Sequence, residues 1–144
     1  CILFVTFDIV LILFIDERLR PLSYPGTDLF LLCFAVNSPT TFENLSKKWY
    51  PELKNHAPDV PLILVGTKID LRDDPKTKAE LNHKNQKPIT KEQGDALCAE
   101  LKGLKYIECS AKTQEGLKQI FDESVRSIMT SRRKAKRKHR CVIL

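Results

Sequence analysis

Apolar and polar positions along this chain follow two rhythms. Residues 29–36 read LFLLCFAV, the continuous apolar run expected of a strand covered on both faces. Ser38-Pro39 then supplies an N-cap and a first-turn proline, and Phe42, Leu45, Trp49 and Leu53 follow at helical spacings of three and four. A second short apolar run, PLILVG at 61–66, ends in polar residues. Residues 73–87 are charged and carry a short helical pattern of weak amphipathicity. Thr90 and Gln93 have capping-box spacing for a helix ending near Gly103. YIECSA at 106–111 reads as a last strand, and Leu117, Ile120, Phe121, Val125 and Ile128 predict the buried stripe of a final helix. Strands alternating with helices predict an α/β fold, a mainly parallel sheet with flanking helices.

The first 15 residues, CILFVTFDIVLILFI, are strongly apolar around Asp8. The run is shorter than the ~20 residues of a helical membrane span, and a central Asp opposes insertion by ~3 kcal/mol. It has neither the basic start nor the small-residue cleavage site of a signal peptide. Its Ile, Val, Phe and Leu content suits one or two buried strands.

At 144 residues the chain is the size of one domain, and 42% hydrophobic with 29% charged residues is globular composition. The formal net charge of +6 changes meaning once mapped. Arg132, Arg133, Lys134, Lys136, Arg137, Lys138 and Arg140 form one run, and no acid follows Glu123. Without those seven, the 24 basic residues fall to 17 against 18 acidic ones, net −1. The body is neutral, which excludes a broadly basic nucleic-acid-binding face. Five cysteines make no CxxC pair, and Cys33, Cys98 and Cys109 sit in apolar runs as core thiols. No metal site is expected, and a reducing compartment fits.

Ligands of open α/β sheets bind at the carboxyl ends of strands. Two such ends carry polar clusters, Gly66-Thr67-Lys68-Ile69-Asp70 and Cys109-Ser110-Ala111-Lys112. A guanine ring presents N1–H and its 2-amino group side by side, so one carboxylate accepts both, and a backbone N–H can serve O6. Adenine has no N1–H and leaves that carboxylate unpaired, a mismatch worth several kcal/mol. Asp70 is the candidate carboxylate, and the apolar stems of Lys68 and Lys112 could sandwich the base. By spacing alone, TKxD and SAK are equally readable as ordinary polar loop residues.

The wider context carries a resemblance. TKxD after one apolar strand and CSAKT after another resemble the two base-recognition motifs of small GTPases. RLRPLSYPGTD at 18–28, FENLSKKWYPEL at 42–53, ILVGTKIDLRDDP at 63–75 and YIECSAKTQEGL at 106–117 all resemble the Rho family. The Thr of TKxD, the WYPE segment and QKPIT at 86–90 point to its Rac-like branch, and residues 73–88 resemble its extra helical insert. The resemblance runs from about Glu17 to Leu144.

It implies an incomplete P-loop NTPase (Ras-like) fold with a Rho-type insert helix. It also implies a GTP/GDP-binding switch in signal transduction, served by exchange factors, activating proteins, a dissociation inhibitor and effectors. Thr67, Lys68 and Asp70 would contact guanine and ribose, and Ser110, Ala111 and Lys112 would close the other side of the base. Thr67 stands where most Ras-like proteins carry Asn.

The sequence departs from that family where phosphate chemistry resides. GxxxxGK[ST] supplies the N–H cradle, the lysine and the Mg²⁺-binding hydroxyl. Five positions after Gly26, Gly66, Gly94, Gly103 and Gly116 stand Leu31, Leu71, Ala99, Glu108 and Phe121. DxxG also fails, with Ser23, Ile63, Lys91, Glu100 and Thr113 three positions before those glycines. The effector loop and its Mg²⁺-binding Thr have no counterpart, and residues 1–15 resemble nothing in the family there. Three origins are open for that segment: a retained intron or mis-joined exon, an alternative N-terminus, or partial sequencing. The expected organisation is an apolar non-family segment at 1–15, a partial small-GTPase domain at 16–131 and a tail at 132–144. No catalytic residue is expected. The alternative to a GTPase switch is a non-catalytic prenylated remnant that binds nucleotide weakly or not at all.

Cys141-Val142-Ile143-Leu144 reads as a C-a-a-X ending, whose Leu favours geranylgeranyl on Cys141. The polybasic run before it supplies a second signal toward an anionic membrane surface, at ~1 kcal/mol per basic residue. The expected location is the cytoplasmic face of membranes, the plasma membrane above all, with a cytosolic pool. Disorder is expected of the tail itself.

Overall fold

A computed structural model describes residues 2–5, 9–10, 22 and 24–138. The elements are β1 (Ile2–Val5), β2 (Ile9–Val10), β3 (Leu29–Ala35), α1 (Pro39–Asn44), a π-helical turn (Leu45–Trp49), α2 (Tyr50–His56), β4 (Leu62–Thr67), a 3₁₀ turn (Ile69–Leu71), α3 (Pro75–His83), α4 (Lys91–Glu100), β5 (Tyr106–Glu108) and α5 (Leu117–Lys138). The sheet order is β2-β1-β3-β4-β5. Strands β3, β4 and β5 are parallel, as the α/β rhythm predicts, with Cys33 opposite Val65 and Val65 opposite Ile107.

The N-terminal residues add two strands that run the other way. β1 pairs antiparallel with β3, with Ile2 opposite Leu32 and Val5 opposite Leu29, and β2 returns antiparallel to β1. The apolar run thus forms the expected strands, in a direction that its composition does not encode. The link from β2 toward β3, which holds most of the RLRPL stretch, lies outside the described residues, as does Cys141.

Period-two alternation sends β3, β4 and β5 to two cores. On one face Phe30, Leu32, Phe34, Leu62, Leu64 and Tyr106 pack with Leu45, Leu53 and Leu97 from the helices. On the other face Leu29, Leu31, Ile63, Val65, Ile107 and Cys109 pack with Ile120 and Ile128 of α5. Among the described residues, the free cysteines Cys33, Cys98 and Cys109 belong to these cores, and burial raises all three thiols above their ordinary pKa.

Local chemistry explains the helix boundaries. Ser38 stands at the N-cap of α1 in extended conformation, but its side chain makes no cap bond. The π turn sits just before Pro51, whose missing N–H and bulky ring disfavour ordinary α-helical bonding back to residue 47. Asp74 caps α3, accepting from the Thr77 N–H and hydroxyl at 2.8 and 2.9 Å. Thr90 and Gln93 form the expected capping box of α4.

Two expectations about α5 are corrected. Phe121 and Val125 do not line the buried stripe: they are 46% and 58% exposed, as is Met129 at 46%. The ridge that meets the sheet is Ile120, Ser124 and Ile128, at spacings of four, and Ser124 tolerates burial because its hydroxyl donates to the Ile120 carbonyl at 2.7 Å. The polybasic segment is not disordered throughout, since the helix continues to Lys138. Arg, Lys and Ala are strong helix formers, and cations at a helix C-terminus complement its dipole.

Candidate functional site

Both polar clusters emerge at the same edge of the sheet. β4 and β5 are adjacent and parallel, with Gly66 opposite Glu108, so their exit loops rise side by side. The last backbone rung is the Cys109 N–H donating to the Gly66 carbonyl at 2.8 Å. A further rung joins the loops themselves, from the Ile69 N–H to the Cys109 carbonyl at 3.3 Å.

Thr67 closes β4, and its hydroxyl donates to the Phe34 carbonyl of β3 at 2.9 Å. That proton anchors the loop to the sheet. Lys68 adopts the left-handed conformation, φ 61° and ψ 39°, which turns the chain into the 3₁₀ turn of residues 69–71. The turn carries Asp70, which is half-buried.

Across the gap, Ser110 is fully buried and donates from Oγ to Asp70 Oδ1 at 2.5 Å. Ser110 Oγ also accepts the Thr113 N–H at 3.2 Å, and the Ser110 N–H donates to the Glu115 carbonyl at 3.0 Å. Gly116, at φ +73°, closes this loop, and a Cβ there would strike the Glu108 carbonyl oxygen. Ala111, Lys112 and Lys68 are exposed. Five of the six candidate residues therefore lie in two adjacent exit loops, and Thr67 anchors the first of these loops to the sheet.

Three residues not picked out from sequence complete the arrangement. Arg72, two positions after Asp70, grips the Glu108 carboxylate in a two-pronged ion pair, Nη1 to Oε2 at 3.0 Å and Nη2 to Oε1. Its Nε donates to the Ile89 carbonyl at 3.1 Å, and the Tyr106 hydroxyl donates to Glu108 Oε1 at 2.7 Å. The Tyr106 ring leaves no room for a Cβ at Gly66 or Gly94. A signal was available: Glu108 is a charge inside an apolar strand, and such a charge needs a partner.

Burial alone would push the Glu108 carboxyl up. The bonds from Arg72 and Tyr106 and the Arg72 charge outweigh burial and hold it below the usual carboxylate value. Burial, then the bond to Glu108 and its charge, push the Tyr106 phenol up.

A half-buried carboxylate fixed by a buried hydroxyl is suited to accept adjacent N–H donors, because Ser110 occupies only one lone pair of Oδ1. Among the described residues, no group of three or more His, Cys, Asp or Glu could hold a metal ion. Residues 16–130 match the family model described as Ras family. The chain belongs to the Ras family. Its α/β layout is that of an incomplete P-loop NTPase fold, with the three parallel strands and their flanking helices in place. Ras-family domains are small GTPases that bind guanine nucleotide, and this class of ligand comes with the family.

The ion pair generates a pH prediction. A carboxyl lowered in the folded state contributes stability that is complete above its unfolded value, about 4.3, and is lost as pH falls through the folded value. Glu108→Gln is expected to melt below the parent at neutral pH and to converge toward it as acidification carries the Glu108 carboxyl through its lowered folded value. Asp73, Asp74 and Glu92 are also lowered but remain in both proteins, so the difference isolates Glu108. Parallel thermal-melt curves across that range would contradict the assignment.

Proposed function

We propose that this chain is the guanine-recognition half of a Rho-family, Rac-like small GTPase, with Asp70 as the base-selecting carboxylate. The observation that carries the reading is the Ser110–Asp70 hydrogen bond, which brings the two loops to one carboxylate at 2.5 Å. Asp70 accepts guanine N1–H and the 2-amino group. The Ala111 N–H, which donates to no other group among the described residues, suits O6. Lys68 and Lys112 cover the faces of the base with their stems, and Thr67 holds the floor.

The Rac-like assignment is supported by TKxD with Thr, by the WYPE segment and by α3 at the position of the insert. Residues 16–131 form the partial domain of this reading. Exchange factors, activating proteins, a dissociation inhibitor and effectors are partners of the intact switch.

The groups present fit the base and not the phosphates. GxxxxGK[ST] occurs nowhere in the 144 residues. Phosphoryl transfer relies on positioning and charge stabilisation of the phosphates. Contacts to guanine are alike in ground and transition states and give no rate advantage. That observation favours the second reading, a non-catalytic prenylated remnant with weak nucleotide affinity, for the chain by itself. In the same reading Cys141 accepts geranylgeranyl and residues 132–140 meet an anionic leaflet, a pairing of signals that supports a location at the cytoplasmic face of the plasma membrane. No helix among the described residues is long and apolar enough to cross a membrane.

Three measurements test this. Asp70→Ala is expected to abolish preference for guanine over adenine nucleotides in competition binding; a parental preference in the mutant would refute the pocket. Single-turnover assay of the purified chain with Mg²⁺-GTP is expected to release phosphate no faster than buffer, and faster release that Asp70→Ala abolishes would overturn that. In cells with active prenylation, Cys141→Ser is expected to move the protein from the membrane to the soluble fraction. Unchanged partition would exclude the lipid anchor.

A further inference from the structure

Besides the backbone rung from Ile69 to Cys109, two side-chain cross-links join the Asp70 segment to the Ser110 segment. One is the Ser110–Asp70 hydrogen bond, and the other is the Arg72–Glu108 pair, displaced by two residues in each strand of the pocket. Period two along β5 and its exit brings Tyr106, Glu108 and Ser110 to the same side, so Glu108 stands directly behind the serine.

The outer link differs from an ordinary surface ion pair. Its side chains are 24% and 15% exposed, against 71% and 58% for Lys47–Glu43. Every prong is used: the guanidinium makes two bonds to Glu108 and one to Ile89, and the carboxylate accepts Tyr106 as well. A planar fork held at three points has little rotational freedom, which makes it a spacer as well as a charge. Ile89 belongs to the segment between α3 and α4, and its own N–H donates to the Val36 carbonyl at 2.8 Å. Asp74, the cap of α3, is held low chiefly by its bonds to Thr77, with smaller help from the charges of Lys76 and Lys112. Arg72 therefore ties β5 to the segment that follows α3.

From this geometry we infer that Arg72 and Glu108 are positioning residues for guanine recognition. Their pair sets the separation of the Asp70 and Ser110 turns and, through the Ile89 carbonyl, couples that separation to the segment following α3. The inference rests on the base-pocket reading above, in which Asp70 contacts the base and neither Arg72 nor Glu108 does.

The test uses the full 144-residue chain and the variants Arg72→Gln, Arg72→Lys and Asp70→Ala. The first readout needs no nucleotide: amide hydrogen exchange at Ile69 and Thr113, the N–H groups that bond across and within the two loops, with Leu64 in the sheet as control. Arg72→Gln is expected to accelerate Ile69 and Thr113 by about tenfold, as loss of a charge-assisted bond implies, and to leave Leu64 unchanged. The second readout is the preference for GDP over IDP, whose base lacks the 2-amino group. It is expected to fall about tenfold in Arg72→Gln, by the same loss, and to vanish in Asp70→Ala.

Arg72→Lys keeps the charge without the fork and is expected to move both readouts in the same direction by less. It decides the matter if the Gln variant does not fold. A GDP preference that survives Asp70→Ala would defeat the pocket reading itself. If Asp70→Ala abolishes the preference while both Arg72 variants retain parental exchange and selectivity, the positioning role is wrong and the pocket stands. Equal acceleration at Leu64 would reduce the pair to general scaffolding and overturn the inference.

Discussion

The parallel pairing of β4 with β5 is the constraint on which the rest depends. In a parallel ladder both strands end at the same edge, so two segments some forty residues apart in sequence are delivered to one place. The bond from the Cys109 N–H to the Gly66 carbonyl finishes that ladder, and the bond from Ile69 to Cys109 extends it into the loops. Without this alignment, Asp70 and Ser110 would be unrelated polar residues. Burial drives the pairing, since Ile63, Val65 and Ile107 on one face and Leu62, Leu64 and Tyr106 on the other are withdrawn from water by helices.

The two carboxylates at this edge are divided by their surroundings. Glu108 is consumed by Arg72 and Tyr106, and its charge is spent on holding backbone segments together. Asp70 has one neutral hydroxyl donor and keeps accepting capacity toward solvent. A pocket that discriminates between bases needs both kinds: a carboxylate open to the ligand, and walls stiff enough that a wrong donor pattern cannot be accommodated by a shift.

Much of this was legible in the sequence where local rules govern. The apolar runs at 29–36 and 61–66 and the Thr90–Gln93 capping box behave as patterns of burial and capping require. Legibility failed where tertiary geometry decides. Strand direction in residues 2–10 depends on pairing with β3, and composition carries no such information. Phe121 and Ile120 are both strongly apolar, so only the position of the sheet chooses between the adjacent ridges of α5. Arg72 and Glu108 went unnoticed as a pair because 36 residues separate them, and a charge pattern shows a need for partners without naming them.

The central claim is that the loops after β4 and β5 form one guanine-binding surface. Its most direct test is a two-dimensional amide NMR titration of the isotopically labelled 144-residue chain with GDP and, separately, with ADP. Such a titration detects contacts even at weak affinity. The account predicts that GDP shifts the amides of Lys68, Ile69, Asp70, Ala111 and Lys112 together along one saturation curve, while ADP leaves them in place. Equal responses to both nucleotides, or GDP-dependent shifts confined to residues remote from these two loops, would contradict it.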